Sequence, residues 1–201
     1  DHARLRHLSA EKIDELFASI GQKLREGLSA EAEKIIERAT STVEFTPDQY
    51  AHLQRLLSFT LETIGRYKES LEAVNQFEDE LSLDILAPET QVRVITQLAI
   101  AYNNMGEQPK AVTLLKEMRQ KAEDAGLTDL LGSVDIALAR VYRKLSEYPI
   151  CRDYAQKALD HFRENGVWLG MAEAYREIAN SYHQEGNSER SLEFFELGIK
   201  I

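Results

Sequence analysis

Apolar residues recur at intervals of three and four along most of the chain, which is the spacing of amphipathic helices. The first such run consists of Ile13, Leu16, Phe17, Ile20 and Leu24. No stretch alternates apolar and polar residues in the manner of a half-buried β-strand. The hydrophobic pattern therefore predicts an all-α protein.

Glycine or serine interrupts the apolar spacing at regular positions and divides the helices into pairs. These breaks are Gly27, Gly65, Gly106, Ser146 and Gly186. A tyrosine stands four residues before each of the last three breaks, and these tyrosines repeat every 40 residues, at Tyr102, Tyr142 and Tyr182. Two helices alone cannot bury their apolar faces, so a regular period predicts stacked hairpins.

We expect one right-handed α-solenoid superhelix over residues 9–201. Its five hairpins are expected at about 9–41, 47–82, 88–124, 128–164 and 168–201. Thr46 followed by Pro47 predicts the start of a helix, with threonine as N-cap and proline at the first helical position. Residues 1–8 lack helical spacing, and we expect them to be disordered or left over from expression. Because the helical pattern continues to Ile201, we also expect the chain to be part of a longer protein.

The repeated unit has an apolar and a small residue shortly before an aromatic, then a turn residue, then a small residue on the second helix. The last hairpin shows this pattern at Ile178, Ala179, Tyr182, Gly186 and Ser191. The two hairpins before it show the pattern at Leu138, Ala139, Tyr142, Ser146 and Cys151, and at Leu98, Ala99, Tyr102, Gly106 and Ala111. In these residues the chain resembles the tetratricopeptide repeat (TPR), strongly from residue 88 onward.

The 40-residue spacing exceeds the usual TPR unit of about 34 residues. It is similar to the long-repeat subgroup, which includes bacterial signalling regulators, peptide-sensing regulators and kinesin-light-chain adaptors. The resemblance implies that the first helix of each hairpin lines a concave groove and that the protein binds a partner without catalysis.

Counting from each tyrosine places a set of polar residues on the groove side of the first helices. The candidate groove residues are Arg93, Thr96, Asn103, Asn104, Arg140, Arg143, Lys144, Arg176, Asn180 and His183. This lining is cationic although the chain has a formal net charge of −10. Guanidinium groups bind carboxylates in a forked geometry, and asparagine amides bind peptide backbone. The set therefore predicts a scaffold that holds an acidic extended or helical segment of another protein.

Three alternatives stay open. The arginines could pair with neighbouring glutamates and line a groove that binds nothing. The chain could be the sensor module of a bacterial signalling regulator that binds a small molecule or a signalling peptide. It could also be a spacer, or form a homo-oligomer through the C-terminal apolar residues Leu192, Phe195 and Ile199.

Composition and motifs argue against several other functional classes. The acidic balance argues against nucleic acid as a partner, because binding phosphates needs a surplus of Lys and Arg. One cysteine allows neither an internal disulfide nor a cysteine-based zinc site. The five histidines lack metal-ligand spacing, and the sequence contains neither a Gly-rich phosphate loop nor Gly-x-Ser-x-Gly. We therefore predict no catalytic residue, no metal, no cofactor, no membrane partner and a cytoplasmic location.

Overall fold

The computed structural model describes residues 5–201, and the chain divides into two compact units, Asp1–Thr90 and Gln91–Ile201. Apart from one isolated backbone bridge, the described residues form helices joined by short connections. The prediction of an all-α fold is confirmed. The expectation of a single array over residues 9–201 stays a prediction.

Unit 1 contains two helical hairpins followed by a short helix. Its helices are α1 (Ala10–Arg25), α2 (Ser29–Thr42), α3 (Pro47–Thr63), α4 (Tyr67–Val74) and α5 (Glu80–Asp84). Helix α2 packs against both α1 and α3, around a core formed by Ile20, Ala32, Ile36, Ala39 and Leu53. These apolar positions follow the predicted three- and four-residue spacing.

Helix α3 begins at the predicted position. The Gln49 backbone N–H donates to Thr46 Oγ1 over 3.3 Å, and the Thr46 backbone N–H donates to Gln49 Oε1 over 3.0 Å. This reciprocal pair satisfies backbone donors that have no partner within the helix. Pro47 at the first helical position costs no hydrogen bond there.

The second helix of the second hairpin is shorter than predicted. We expected the second hairpin to extend to about residue 82, but α4 ends at Val74 and a 3₁₀ turn follows over Asn75–Glu78. Asp79 is extended, with φ −70° and ψ 123°, and its carboxylate accepts from the Ser82 backbone N–H over 3.0 Å. Asp79 thereby caps a new helix, because short polar side chains compete with the continuing helix for backbone groups. Phe77 remains buried.

The N-terminal segment is partly ordered against helix α2. Residues 1–4, half of the segment expected to be disordered, lie outside the described residues. The Arg6 backbone N–H donates to the Thr42 carbonyl over 2.8 Å, and the Glu44 N–H donates to the Arg6 carbonyl over 3.0 Å. These bonds form a parallel bridge between Arg6 and Val43. The expectation of disorder is therefore wrong for Arg6, because its backbone groups find partners at the end of α2.

Unit 2 contains six helices that alternate in direction as three hairpins. They are α6 (Pro88–Asn104), which begins at the end of unit 1, α7 (Gln108–Asp124), α8 (Thr128–Lys144), α9 (Tyr148–Glu164), α10 (Trp168–Gln184) and α11 (Ser188–Ile199). Helix α8 packs against α7, α9 and α10, and α10 packs against α9 and α11. The first helices of the last two hairpins, α8 and α10, thus pack against helices of their own and neighbouring hairpins.

Two glycines allow α8 and α10 to approach one aromatic ring on α9. A Cβ atom added at Gly132 of α8 would lie 2.7 Å from the Phe162 ring, and one added at Gly170 of α10 would lie 2.5 Å from it. Such distances are far below van der Waals contact. Both positions therefore require glycine because the ring of Phe162 occupies the space of a side chain.

The turn after α8 has the same backbone conformation as the glycine turns, although its residue is serine. Ser146 has φ +60°, beside φ +84° at Gly106 and +90° at Gly186. The Glu147 N–H donates to the Tyr142 carbonyl over 2.9 Å and closes the end of the helix. A left-handed residue with a Cβ is disfavoured, so this turn holds a small amount of strain.

Cys151 is fully buried among small residues at the start of α9. It packs with Ala139, Ala155 and Ile178, which confirms its prediction as the small residue of the repeat. Burial raises the pKa of the Cys151 thiol to about 12. The thiol is therefore a packing group, because the thiolate is the reactive form of cysteine.

Candidate functional site

The candidate groove residues lie on three helices, α6, α8 and α10, the first helices of the three hairpins of unit 2. The α6–α8–α10 face is defined here by Asn104, Arg140, Arg143, Lys144, Glu173, Arg176, Glu177 and Asn180. Two candidates are more deeply placed than expected: Thr96 and Asn103 are buried, and the Thr96 hydroxyl donates to the Val92 carbonyl over 2.6 Å. Arg93, Lys144, Arg176 and His183 are exposed, while Asn104, Arg140, Arg143 and Asn180 are half-buried.

A lysine connects the end of α8 to the end of α6. Lys144 Nζ donates to the Asn103 carbonyl over 3.1 Å and to Asn104 Oδ1 over 3.4 Å. Gln108 Nε2 donates to the same Asn103 carbonyl over 2.9 Å and to Asn103 Oδ1 over 3.3 Å. The structure thus brings three of the predicted residues, Asn103, Asn104 and Lys144, into one hydrogen-bonded group.

The side-chain nitrogen of Asn104 has no partner in this group. Asn104 Nδ2 is buried and donates no hydrogen bond to any acceptor among residues 5–201. An unpaired buried donor costs about 1–3 kcal/mol. An added acceptor, such as a peptide carbonyl, would recover that free energy if Asn104 turned towards it.

A buried carboxylate joins the two arginines of α8 to α10. Arg140 Nε donates to Glu177 Oε1 over 3.2 Å, and Arg143 Nε donates to Glu177 Oε2 over 2.9 Å. The Glu177 side chain is 4% exposed, and Glu173 lies 3.5 Å from Arg140 Nη2. Each carboxylate oxygen of Glu177 therefore has its own guanidinium, and the site is an ion network rather than a pair of free arginines.

Glu177 and Glu173 are not among the residues predicted for the groove. Pairing of the arginines with neighbouring glutamates is one of the alternatives left open above, and for Arg140 and Arg143 this pairing is present. A usable signal was present: Glu177 directly precedes Ile178 and follows Glu173 by four residues, so both acids share one face of α10. Two other candidates, Arg176 and His183, are exposed and take part in no ion pair within residues 5–201.

A second buried acid lies on another side of α8. Asp135 is fully buried, and its Oδ1 accepts from Arg119 Nε over 2.7 Å. Its Oδ2 lies 3.6 Å from His161 Nε2 and has no hydrogen bond within residues 5–201. Burial raises the pKa of Asp135, although the charge of Arg119 acts in the opposite direction. No sequence motif singled out this group.

The described residues contain neither a cluster of metal ligands nor a membrane-spanning helix. Within residues 5–201 no group of three or more His, Cys, Asp or Glu side chains is arranged to hold a metal ion. Over the same range, every helix is too short or too polar to cross a bilayer.

Comparisons with known proteins agree with the arrangement of the helices in hairpins. Residues 130–201 match a sequence model of the tetratricopeptide repeat. Among solved structures, the chain is similar to Bacillus thuringiensis PlcR in complex with the peptide PapR7 and DNA. The identity is 12%, the match covers 93% of this chain and 70% of that chain, and the TM-score is 0.73.

Two further structures extend the comparison. A Rap protein complexed with Competence and Sporulation Factor is 16% identical, with 92% of this chain and 52% of that chain covered and a TM-score of 0.78. This chain therefore spans about half the length of that Rap protein. The nearly identical TPR-like repeats of a putative kinesin light chain from Podosopora anserina are 17% identical, with 94% of each chain covered and a TM-score of 0.61.

At such low identities, the structural similarities show the fold alone, and they confirm the α-solenoid fold class. The sequence match supplies the repeat type for the C-terminal part, where the tyrosine period and the buried small residues were found. Residues 130–201 therefore contain tetratricopeptide repeats, and the chain has the α-solenoid fold that such repeats form.

Proposed function

We propose that this protein is a non-catalytic, cytoplasmic module that binds a peptide segment of a partner on the α6–α8–α10 face. The observation that carries the proposal is the row of hydrogen bonds that fixes Lys144 to Asn104 and both α8 arginines to Glu177. Polar groups held in place on rigid helices lose little conformational freedom on binding. The similar PlcR and Rap structures contain the peptides PapR7 and Competence and Sporulation Factor, which supports a peptide as ligand.

The charges on the α6–α8–α10 face favour an acidic peptide as the ligand. The face carries four cations, Arg140, Arg143, Lys144 and Arg176, and two carboxylates, Glu173 and Glu177. Arg143 uses only its Nε for Glu177, so its two terminal nitrogens form no hydrogen bond within residues 5–201. A ligand carboxylate can therefore bind Arg143 without displacing Glu177. Charged hydrogen bonds of this kind contribute about 1.5–3 kcal/mol each.

Replacing Arg140 and Arg143 with glutamate is not a suitable test. The substitution would place two further carboxylates beside buried Glu177, and loss of folding would then be indistinguishable from loss of binding. Arg176 and Asn104 are better positions. Arg176 is exposed and unpaired, and Asn104 contributes a half-buried amide.

The test is selection of binders from a random peptide display library, followed by fluorescence polarisation with the selected peptides. We expect the peptides to contain Asp or Glu, and we expect Arg176→Glu and Asn104→Ala each to weaken binding about tenfold or more. Lys68→Glu is the matched control, because Lys68 is an exposed cation on α4 in unit 1. Peptides without acidic residues, or full affinity in Arg176→Glu, would overturn the acidic preference.

A sensor of signalling peptides is a second form of the same proposal. It is favoured by the similarity to PlcR in complex with the peptide PapR7 and to the Rap protein complexed with Competence and Sporulation Factor. A sensor must bind a free short peptide, whereas a scaffold binds a segment within a protein. Affinities of one selected motif, as a free peptide of about seven residues and as an insert in a folded carrier, would separate the two.

Self-association is a distinct candidate that rests on α11. Leu192 and Ile199 on this helix are 60% and 83% exposed, and Phe195 between them is 37% exposed. Sedimentation velocity over a hundredfold range of concentration tests whether this apolar face pairs. Concentration-dependent dimerisation that Ile199→Lys removes would support the candidate, and a monomer throughout would contradict it.

A further inference from the structure

Unit 1 contains a cavity that is separate from the α6–α8–α10 face. It has a volume of about 380 Å³ and lies between α1, α2 and the segment before α1. Its wall is formed by Arg6, Leu8, Leu16, Glu31, Lys34, Ile35, Arg38, Ala39, Thr42 and Val43. A volume in this range is typical of small-molecule sites in proteins.

The inner wall of the cavity is apolar. Leu8, Leu16 and Ile35 are half-buried there, and Ala39 and Val43 are each 4% exposed. These side chains belong to three different segments of the chain, so the apolar surface exists only in the folded unit. Transfer of an aliphatic group from water to this surface would be favourable by about 25 cal/mol of free energy for each Å² of apolar surface removed from water.

The rim of the cavity carries three cations and one acid. The cations are Arg6, Lys34 and Arg38, and none of them forms an ion pair within residues 5–201. The acid, Glu31, is bound to Lys23 on α1 over 2.8 Å, so its charge is already compensated from outside the cavity. The rim is therefore locally positive in a chain whose formal net charge is −10.

The backbone holds one of these cations in place. The bridge between Arg6 and Val43 fixes the Arg6 backbone beside the last turn of α2, which also carries Thr42 of the wall. Two hydrogen bonds of 2.8 and 3.0 Å thereby join this segment, which has no helical structure, to the end of α2. The positive rim and the apolar wall are consequently parts of one ordered site.

We propose that this cavity binds a small amphipathic anion, namely a free carboxylate with an aliphatic chain of medium length. The chain would occupy the surface between Leu8, Leu16 and Ile35, and the carboxylate would lie among the three cations. At about 30 Å³ for each water-sized group, the cavity holds roughly a dozen non-hydrogen atoms. Octanoate and decanoate are of this size. The proposal goes beyond peptide binding on unit 2 and does not depend on it.

Isothermal titration calorimetry of the full chain with octanoate tests the proposal, with 1-octanol and acetate as partial ligands. We expect octanoate to bind at least tenfold more tightly than either one, because octanol lacks the charge and acetate lacks the chain. The double variant Lys34→Gln/Arg38→Gln should weaken octanoate binding at least tenfold and leave octanol unchanged. Arg25→Gln, which removes a cation of α1 outside the wall, is the control and should change nothing.

A second variant tests the apolar wall independently. Leu8→Trp fills the cavity from a segment outside the helices, and we expect it to abolish octanoate binding while the circular dichroism of the helices is retained. Equal binding of octanol and octanoate, or full affinity in the double glutamine variant, would overturn the role of the cations. If millimolar octanoate does not bind, the proposal is wrong, and the cations merely complement the negative C-terminal end of the α2 dipole.

Discussion

Two buried carboxylates near α8, Glu177 of α10 and Asp135 of α8 itself, are paired to very different degrees. Towards α10, Arg140 and Arg143 bind both oxygens of Glu177. Towards α7 and α9, Asp135 has one strong bond to Arg119 and a second oxygen without a hydrogen bond. The first acid belongs to a network on the candidate binding face, and the second lies within the packing of unit 2.

The difference shows how burial and pairing compete. Removing a charge from water is costly unless enough donors replace the lost solvent. Two guanidiniums meet this need for Glu177. One guanidinium is insufficient for Asp135, and its pKa is accordingly raised. Complete pairing joins α8 to α10 through both oxygens of Glu177, while among residues 5–201 one oxygen of Asp135 has no hydrogen bond.

The largest effect is expected where the complete network is broken. Glu177→Ala would leave two partly buried guanidiniums facing each other without an anion. We expect the free energy of unfolding to fall by about 3 kcal/mol. This value is at the lower end of the range for breaking a buried ion pair, because both arginines are partly exposed to solvent. Urea denaturation measures this loss. Glu196→Ala, at an exposed position of α11, should cost less than about 0.5 kcal/mol. A loss below about 1 kcal/mol for Glu177→Ala would show that the network contributes little.

The next effect concerns apolar packing between the same helices. Gly170→Ala would force the base of the Phe162 ring to move, and we expect it to destabilise the fold by about 1–2 kcal/mol despite the better helix propensity of alanine. Gly132→Ala should cost less, because its Cβ would meet the outer part of the ring. Adding Phe162→Leu to Gly170→Ala should restore part of the loss. Thermal unfolding of the four proteins measures this order, and an equal cost at both glycines would contradict it.

A smaller change of opposite sign is expected at the end of α8. Ser146 has a positive φ at the position where the equivalent turns contain glycine. We expect Ser146→Gly to stabilise the fold by about 0.5–1 kcal/mol, since it removes the Cβ strain without touching either carboxylate. The midpoint of urea denaturation should rise. A lower midpoint would mean that the serine hydroxyl contributes more than the strain costs.

The smallest effect is the pH dependence of the incompletely paired acid. Burial raises the pKa of Asp135 above its ordinary value of 3.8, so the folded state binds this proton more tightly than the unfolded state. Its contribution to stability is therefore greatest below pH 3.8 and falls as the pH rises through the raised value. We expect the difference in unfolding free energy, wild type minus Asp135→Asn, to decrease from pH 4 towards neutrality. A constant difference would show that the folded and unfolded pKa values are equal.

The fold was largely predictable because its signals are local. Capping of α3 by Thr46, the tyrosine period and the small residue at Cys151 each act within a few residues or within one repeat. The early end of α4 was missed because Asp79 competes through a side-chain cap, which the apolar spacing at Phe77 conceals. The order of Arg6 was missed because its partners lie at the far end of a helical hairpin.

The site was less predictable because its members meet across helices. Position within a repeat placed Arg140 and Arg143 among the candidates, but it could not show that Glu177 of the next hairpin binds them both. Helix periodicity likewise could not tell that Asn103 is buried while Asn104 is not. How deeply a residue is buried depends on the side chains of the neighbouring hairpin. Those side chains lie about 40 residues away in the sequence.

The reactivity of buried Cys151 can report how often the helices of unit 2 separate. The thiol is the only one in the sequence, has no exposed surface and has a pKa raised to about 12, so a thiol reagent reacts with it only when α8, α9 and α10 separate. The labelling rate then measures how often unit 2 opens, without an introduced probe. A bound peptide that bridges α8 and α10 would slow labelling, and a ligand confined to unit 1 would serve as the comparison.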